Sequence, residues 1–170
     1  MQLTVPDPSL VLLIGPSGSG KSTFAARSFP PTAVLSSDEM RRLLADDPSD
    51  QSASADAFRV LALLVDGRLS RRLLTVVDAT NLRAASRRRW RAMARRYGVP
   101  AIAICFDLSL ASYLELNRRR PERSVEEWVV REQFERMAAA LTDIADEGYA
   151  ALHLLRDPAE VAATTVSIAR

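Results

Sequence analysis

The sequence predicts an α/β protein: one parallel sheet of about five strands with helices on both faces and a helical lid. Three observations carry that prediction. Short apolar runs recur at Leu10–Ile14, Ala33–Ser36, Leu73–Asp78, Ala101–Phe106 and Tyr149–Leu155, as strands of a buried sheet do. Segments with helical spacing separate them, which is the alternation that builds parallel sheets. Finally, Gly15-Pro16-Ser17-Gly18-Ser19-Gly20-Lys21-Ser22 follows the first run and opens a helix, matching the G-x-x-x-x-G-K-[ST] phosphate loop in its strand–loop–helix context. Together they predict a P-loop NTPase or kinase fold.

Met1 to Pro8 is expected as a short arm bearing Pro6 and Pro8. The unbroken apolar run Leu10–Ile14 suits a strand buried on both faces. The helix opening at Lys21 stops at Pro30-Pro31. Ala33–Ser36 forms the next strand, and Asp38 is in position to cap a helix running through Leu44. The polar stretch Asp46–Ser52 reads as a surface loop at a pocket mouth. From Ala53 to Arg72, Ala57, Val60, Leu61, Leu64, Val65 and Leu69 recur at helical spacing, with Arg59, Arg68 and Arg71 on the wet side. Leu73–Asp78 is a strand closed by Ala79-Thr80-Asn81. Ala84–Tyr97 is an arginine-rich helix, mostly a solvated face with Trp90 packed inward, ended by Gly98 and Pro100. After the strand Ala101–Phe106, a helix from about Leu110 to Asn117 gives way to Arg118-Arg119-Arg120-Pro121-Glu122-Arg123. Ser124-Val125-Glu126-Glu127 restarts a helix in a capping-box arrangement, running to about Leu141. Tyr149–Leu155 is the last strand expected, carrying the packed His153, and a C-terminal helix follows from Pro158. Residues 1–170 read as one domain, with the lid at about 117–141.

Composition bounds the function classes. The formal net charge is +2, so any surface for a polyanion must be local. A single cysteine, Cys105, excludes a disulfide framework and a cysteine zinc site. Neither a signal peptide nor an apolar run of membrane length is present, so a soluble cytoplasmic protein is expected. Of the 23 Lys and Arg residues only Lys21 is lysine, which leaves 22 arginines. A chain so biased keeps an ammonium where a compact point charge is required.

Ligands of parallel α/β sheets bind beyond the carboxyl ends of the strands, which here gather the P-loop, Ser37-Asp38, Asp78–Asn81 and the turn at Asp107. Gly15, Ser17, Gly18, Ser19, Gly20, Lys21, Ser22 and Thr23 form the donor site: glycines let backbone N–H groups converge on a triphosphate, Lys21 reaches the β/γ oxygens and Ser22 ligates Mg²⁺. Asp38 faces the γ-phosphate from the opposite side as a candidate general base. Arg41, one helical turn on, suits an anionic group on the acceptor. Asp78 suits the second carboxylate that orients Mg²⁺ through its waters. The Arg118–Arg123 run sits where a closing lid would bring charge to the transferring phosphoryl group. Trp128 is a weaker candidate for contact with the acceptor.

These residues, in the order Gly15–Ser22, Ser36–Arg41, Val77–Asn81 and Asn117–Arg123 with Val125-Glu126-Glu127, resemble the polynucleotide 5′-kinase family, most closely the kinase module of bacterial polynucleotide kinase–phosphatase end-repair proteins. The resemblance implies transfer of the γ-phosphate of ATP or another NTP to the 5′-hydroxyl of RNA or DNA, with Mg²⁺. It implies Lys21 and Ser22 on the donor phosphates and metal, Asp38 as general base, Arg41 and Gln51 on the acceptor side, and Arg120 and Arg123 as lid arginines on the donor. Leu116 departs from the pattern, which carries an arginine there, so that Arg118, Arg119 or Arg120 would compensate. Implied partners are the phosphatase and ligase modules of a longer repair protein. The residues alone leave open a kinase for a small metabolite and a nucleotide-binding switch ATPase.

Overall fold

The computed structural model describes residues 1–119 and 125–169. Its main sheet has five strands, β2 (Leu10–Ile14), β3 (Val34–Ser36), β4 (Thr75–Asp78), β5 (Ala101–Phe106) and β6 (Ala151–Leu155), in the order β3-β4-β2-β5-β6 and all parallel. The order reverses at β2, so the loop leaving that strand lies at the switch point where parallel sheets open a crevice.

Alternation along the strands divides two cores. Leu10, Leu12 and Ile14 face one side with Val77 and Ala103, under α3 (Ser54–Leu69) and α4 (Ala84–Arg96). Val11 and Leu13 face the other with Val76, Ile102 and Ile104, covered by Phe24 of α1 (Lys21–Ser28) and Tyr113 of α5 (Leu110–Arg118). Every residue of β2 is fully buried, and each such Leu or Ile stabilises the fold by about 1.5–3 kcal/mol. Phe24 also packs edge-on to Phe106, with ring centroids 5.6 Å apart.

Helix α6 (Glu127–Ile144) serves both cores, Val130 on the α1 side and Met137 and Ile144 on the α3 side. Before it, the Asn117 carboxamide donates to the Val125 carbonyl at 2.8 Å and accepts the Val125 N–H at 3.0 Å, which brings the chain at 125 back to where it stood at 117.

Several expectations are corrected. The N-terminal arm is a strand, β1 (Gln2–Pro6), paired in parallel with β7 (Thr165–Ala169) in a second, two-stranded sheet. The C-terminal helix is accordingly only α7 (Pro158–Ala163), and Tyr149–Leu155 does not contain the last strand. The cap of α2 (Ser37–Ala45) is Ser36, whose hydroxyl accepts the Glu39 N–H at 3.4 Å, so Asp38 is not the capping residue. Helix α6 begins after Glu126 without a side-chain cap and continues to Ile144, beyond the expected end at 141; Ser124 of the expected capping box lies outside the described residues. Arg68 is not on the wet face, because its guanidinium turns back to the Leu74 carbonyl at 2.7 Å, whereas Leu64 is exposed.

The arginine-rich helix hides a buried ion pair. Arg87 is fully buried, and its guanidinium bonds the Glu147 carboxylate at 2.6 Å and the Leu82 carbonyl at 2.7 Å. Arg91 closes the other side of Glu147 through its backbone carbonyl. Surface pairs such as Arg131–Glu127 are worth at most about 1 kcal/mol, but removing one member of a buried pair strands a charge. Glu147→Ala is therefore expected to lower the unfolding free energy by about 3–5 kcal/mol, read from denaturant midpoints, whereas Glu127→Ala should leave it within about 0.5 kcal/mol.

Candidate active site

The carboxyl end of β2 is held from two sides. On one, the Gly15 N–H donates to the Thr80 carbonyl at 3.0 Å, and Asn81 donates through Nδ2 to the Leu13 carbonyl at 2.8 Å while accepting the Trp90 indole N–H at 3.1 Å. On the other, Gly15 lies so close to β5 that a Cβ would stand 3.0 Å from the Phe106 Cβ and 3.1 Å from the Ser19 hydroxyl. The loop that follows turns through Gly18 (φ 80°) and Gly20 (φ 91°), left-handed conformations that favour glycine. Gly20 is the N-cap of α1, so that Lys21, Ser22 and Thr23 form the helix's first turn.

Lys21 is buried, and its Nζ donates to the carbonyls of Gly15 at 2.8 Å and Pro16 at 2.6 Å and to the Ser19 hydroxyl at 3.2 Å. The ammonium is thus wrapped in its own loop, with the amides of that loop and the positive end of α1 around it, an arrangement suited to an anion. Ser22 and Thr23 are exposed.

Beside the loop is a cleft of about 320 Å³, lined by Ser22, Asp78, Asp38, Glu39, Arg42 and Pro48 among others. Each side chain arrives beyond a strand end: Ser22 from the first turn of α1 after β2, Asp78 from the last position of β4, Asp38 from the first turn of α2 after β3. Asp38 pairs with Arg41, three residues on; the Arg41 side chain is 10% exposed against 50% for Asp38. Arg41 also donates through Nε to the Pro48 carbonyl at 2.7 Å, which ties the 46–50 loop to α2. Glu39 and Arg42 pair at 2.5 and 2.8 Å.

The structure therefore brings together Ser22, Asp38 and Asp78, with Lys21 and Arg41 behind them. It does not bring Gln51 into the cleft lining; Gln51 is exposed and bonds to Ser49 and Ser54 nearby. Arg118 and Arg119 are exposed, Arg119 pairing with Glu115 at 2.9 Å, and Arg120 and Arg123 lie outside the described residues. Leu116 packs against the α1-side core. Trp128, 65% exposed on the first turn of α6, touches neither core. Asp107, immediately after β5, is pushed upward in pKa by burial, opposed by Arg156 at 3.9 Å. Cys105 is fully buried in β5, its thiol pushed up to about 12 by that burial, so it is inert as a nucleophile.

The sequence assigns no role to three contributions, although Asn81 and Glu39 lie in the strand-end stretches Asp78–Asn81 and Ser36–Arg41. Asn81 clamps the base of the phosphate loop, Glu39 and Arg42 form a wall of the cleft, and Gln133 of α6 accepts the Ser17 backbone N–H at 2.7 Å. Among the described residues no cluster of His, Cys, Asp and Glu suits a metal ion, and no helix is long and apolar enough to cross a membrane.

Residues 10–144 match the family model described as AAA domain. No curated protein matches the chain in sequence. Among solved structures, the chain is similar to one from the Pnkp1/Rnl/Hen1 RNA repair complex (21% identity, TM-score 0.67, 82% of this chain and 47% of that one). It is also similar to the Mycobacterium tuberculosis APS kinase CysC in complex with AMPPNP and APS (24% identity, TM-score 0.51, 69% of this chain and 71% of that one). A third is a gluconokinase from Sinorhizobium meliloti 1021 (18% identity, TM-score 0.55, 89% of this chain and 84% of that one). The chain spans about half the length of the repair-complex protein. The likenesses establish a P-loop kinase fold.

The tightness at Gly15 is testable by stability alone. Gly15→Ala must part β2 from β5 against close-packed backbone, and should lower stability by about 1–3 kcal/mol. Gly67→Ala is the contrast: its Cβ meets only the flexible Arg71 guanidinium at 3.7 Å inside α3, and it should raise stability by about 0.5–1 kcal/mol. Thermal or urea unfolding of the two variants distinguishes them.

Proposed function

The chain belongs to the AAA domain family, and on that footing we propose that it is a polynucleotide 5′-kinase, moving the γ-phosphate of ATP or another NTP to the 5′-hydroxyl of an RNA or DNA end. The observation that carries the reading is the shared cleft: Asp38 faces Ser22 and Asp78 at the mouth of the phosphate loop, with Arg41 against Asp38.

In this reading the P-loop amides and Lys21 hold the donor's β and γ phosphates, exchanging the Lys21 bonds to loop carbonyls for phosphate oxygens. The acceptor hydroxyl enters from the α2 side, and Asp38 takes its proton as the new O–P bond forms and the bond to the β,γ-bridging oxygen breaks, leaving NDP. Arg41 is buried behind Asp38 and tied to the Pro48 loop, so it can exchange part of its pairing for the phosphate beside the terminal nucleoside. Gln51 is assigned to the acceptor strand further out. Ser22 and Asp78 offer oxygen donors from two strand ends, a set that fits Mg²⁺ retaining several of its waters. That ion would neutralise charge on the β and γ oxygens. Arg120 and Arg123 are assigned to the donor phosphates by resemblance. The similarity in fold to a protein of an RNA repair complex supports a role in end repair beside phosphatase and ligase modules, with the kinase formed by one domain over 1–170 and the lid at 117–141.

A second reading is a small-metabolite kinase. The cleft's roughly 320 Å³ is at the small end for ligand sites, and the fold is shared with a gluconokinase and an APS kinase.

Transfer of labelled γ-phosphate to 5′-hydroxyl RNA, 5′-hydroxyl DNA and a panel of sugars and nucleosides separates the readings: oligonucleotide product is expected, and labelling of metabolites alone would replace the first reading by the second. Asp38→Asn should reduce kcat by about 10²–10⁴-fold with NTP binding intact, and Arg41→Ala should act chiefly on acceptor KM.

A further inference from the structure

Gln133 is the residue of α6 whose side chain reaches the phosphate loop, across a sequence separation of 116 residues. It lies between Val130, in one core, and Met137, in the other. The helix therefore passes over the carboxyl edge of the sheet where Gln133 stands, fixed in height by apolar anchors on both sides.

The orientation of the carboxamide follows from its partner. A backbone N–H can only donate, so the group facing Ser17 must be the oxygen; the 2.7 Å bond to Oε1 satisfies this. The Nε2 amide then points away from Ser17, and its two hydrogens make no bond with the described residues. Ser17 is the third residue of an eight-residue loop whose later amides and Lys21 form the phosphate cradle. A carboxamide pinned by its oxygen to the rim of an anion site, with both donors unspent, is built to meet the phosphate that protrudes furthest from that cradle.

We propose that Gln133 is a γ-phosphate-sensing residue, bound through Oε1 to the Ser17 amide and donating through Nε2 to the terminal phosphate of a nucleoside triphosphate, so that α6 distinguishes NTP from NDP. The inference rests on the kinase reading above and extends it to the discrimination of donor from product. A neutral donor suits such discrimination, because it gains little from the phosphates a diphosphate retains, while a bond to the charged γ oxygens is worth more than one between neutral groups. After transfer that bond is lost, and the hold of α6 on the nucleotide weakens as NDP must leave.

Calorimetric titration of the full chain with a non-hydrolysable ATP analogue and with ADP tests the assignment, using Gln133→Leu and Gln133→Glu. Leucine removes both functions at similar volume; glutamate keeps an oxygen for the Ser17 N–H but replaces the donors by a negative charge. Expected is a loss of about tenfold or more in triphosphate affinity for Gln133→Leu, a larger loss for Gln133→Glu, and ADP affinity within about twofold for both. Equal losses for the two nucleotides, or recovery of triphosphate affinity by glutamate, would show that Gln133 only props the loop and would overturn the proposal. A wild-type chain that binds both nucleotides but phosphorylates no acceptor would instead remove the kinase reading while leaving the discrimination measurable. A wild-type chain that binds neither would remove both.

Discussion

Everything in this molecule depends on how closely three strand ends approach at Gly15. The phosphate loop can offer its amides to an anion only if the strand before it stops at a fixed place and angle. That place is defined by the Phe106 Cβ on one side and the Thr80 carbonyl on the other. The apolar burial of β2 supplies the energy that holds the strand, and the hydrogen bonds of Asn81 supply the direction. Because Arg87 grips the carbonyls of Asn81 and Leu82, the buried pair with Glu147 also belongs to this support. A charge network on the far side of α4 thereby stiffens the base of the phosphate loop.

The two halves of the cleft are mounted differently. The phosphate-loop side is enclosed by buried strands and by a helix whose first turn is part of the loop. The opposite side is carried by α2 and the 46–50 segment, joined through Arg41 to both Asp38 and the Pro48 carbonyl. Arg41 thus sets the distance between a carboxylate at the cleft and the loop at its mouth. An acceptor that engages Arg41 would act on both at once, whatever its chemical class.

The fold was legible because its signals are local and repeated. Five apolar runs, a glycine-rich loop and helical spacings each report on a stretch of fewer than about twenty residues, and burial on both faces leaves little ambiguity in a run such as Leu10–Ile14. The small sheet was not legible: β1 and β7 are five residues each, one at either end of the chain, and their pairing has no local signature. Asp38 was visible as a residue at the end of a strand, but its helix cap is Ser36, two positions earlier, and both residue types favour that role. Arg87 was hidden among its neighbours, since a run of arginines on a helix gives no sign that one of them turns inward to a glutamate 60 residues away. The same limit applies to Gln133, whose partner is a backbone amide on another element.

The wrapping of Lys21 has a consequence for the chemistry of the protein as a reagent. It is the only lysine in the sequence, and its ε-amine is held by two carbonyls and a hydroxyl, so agents that acylate or reductively alkylate lysine meet a single, guarded target. Covalent labelling at Lys21 is therefore a direct chemical clock for how often the phosphate loop lets go of its own ammonium.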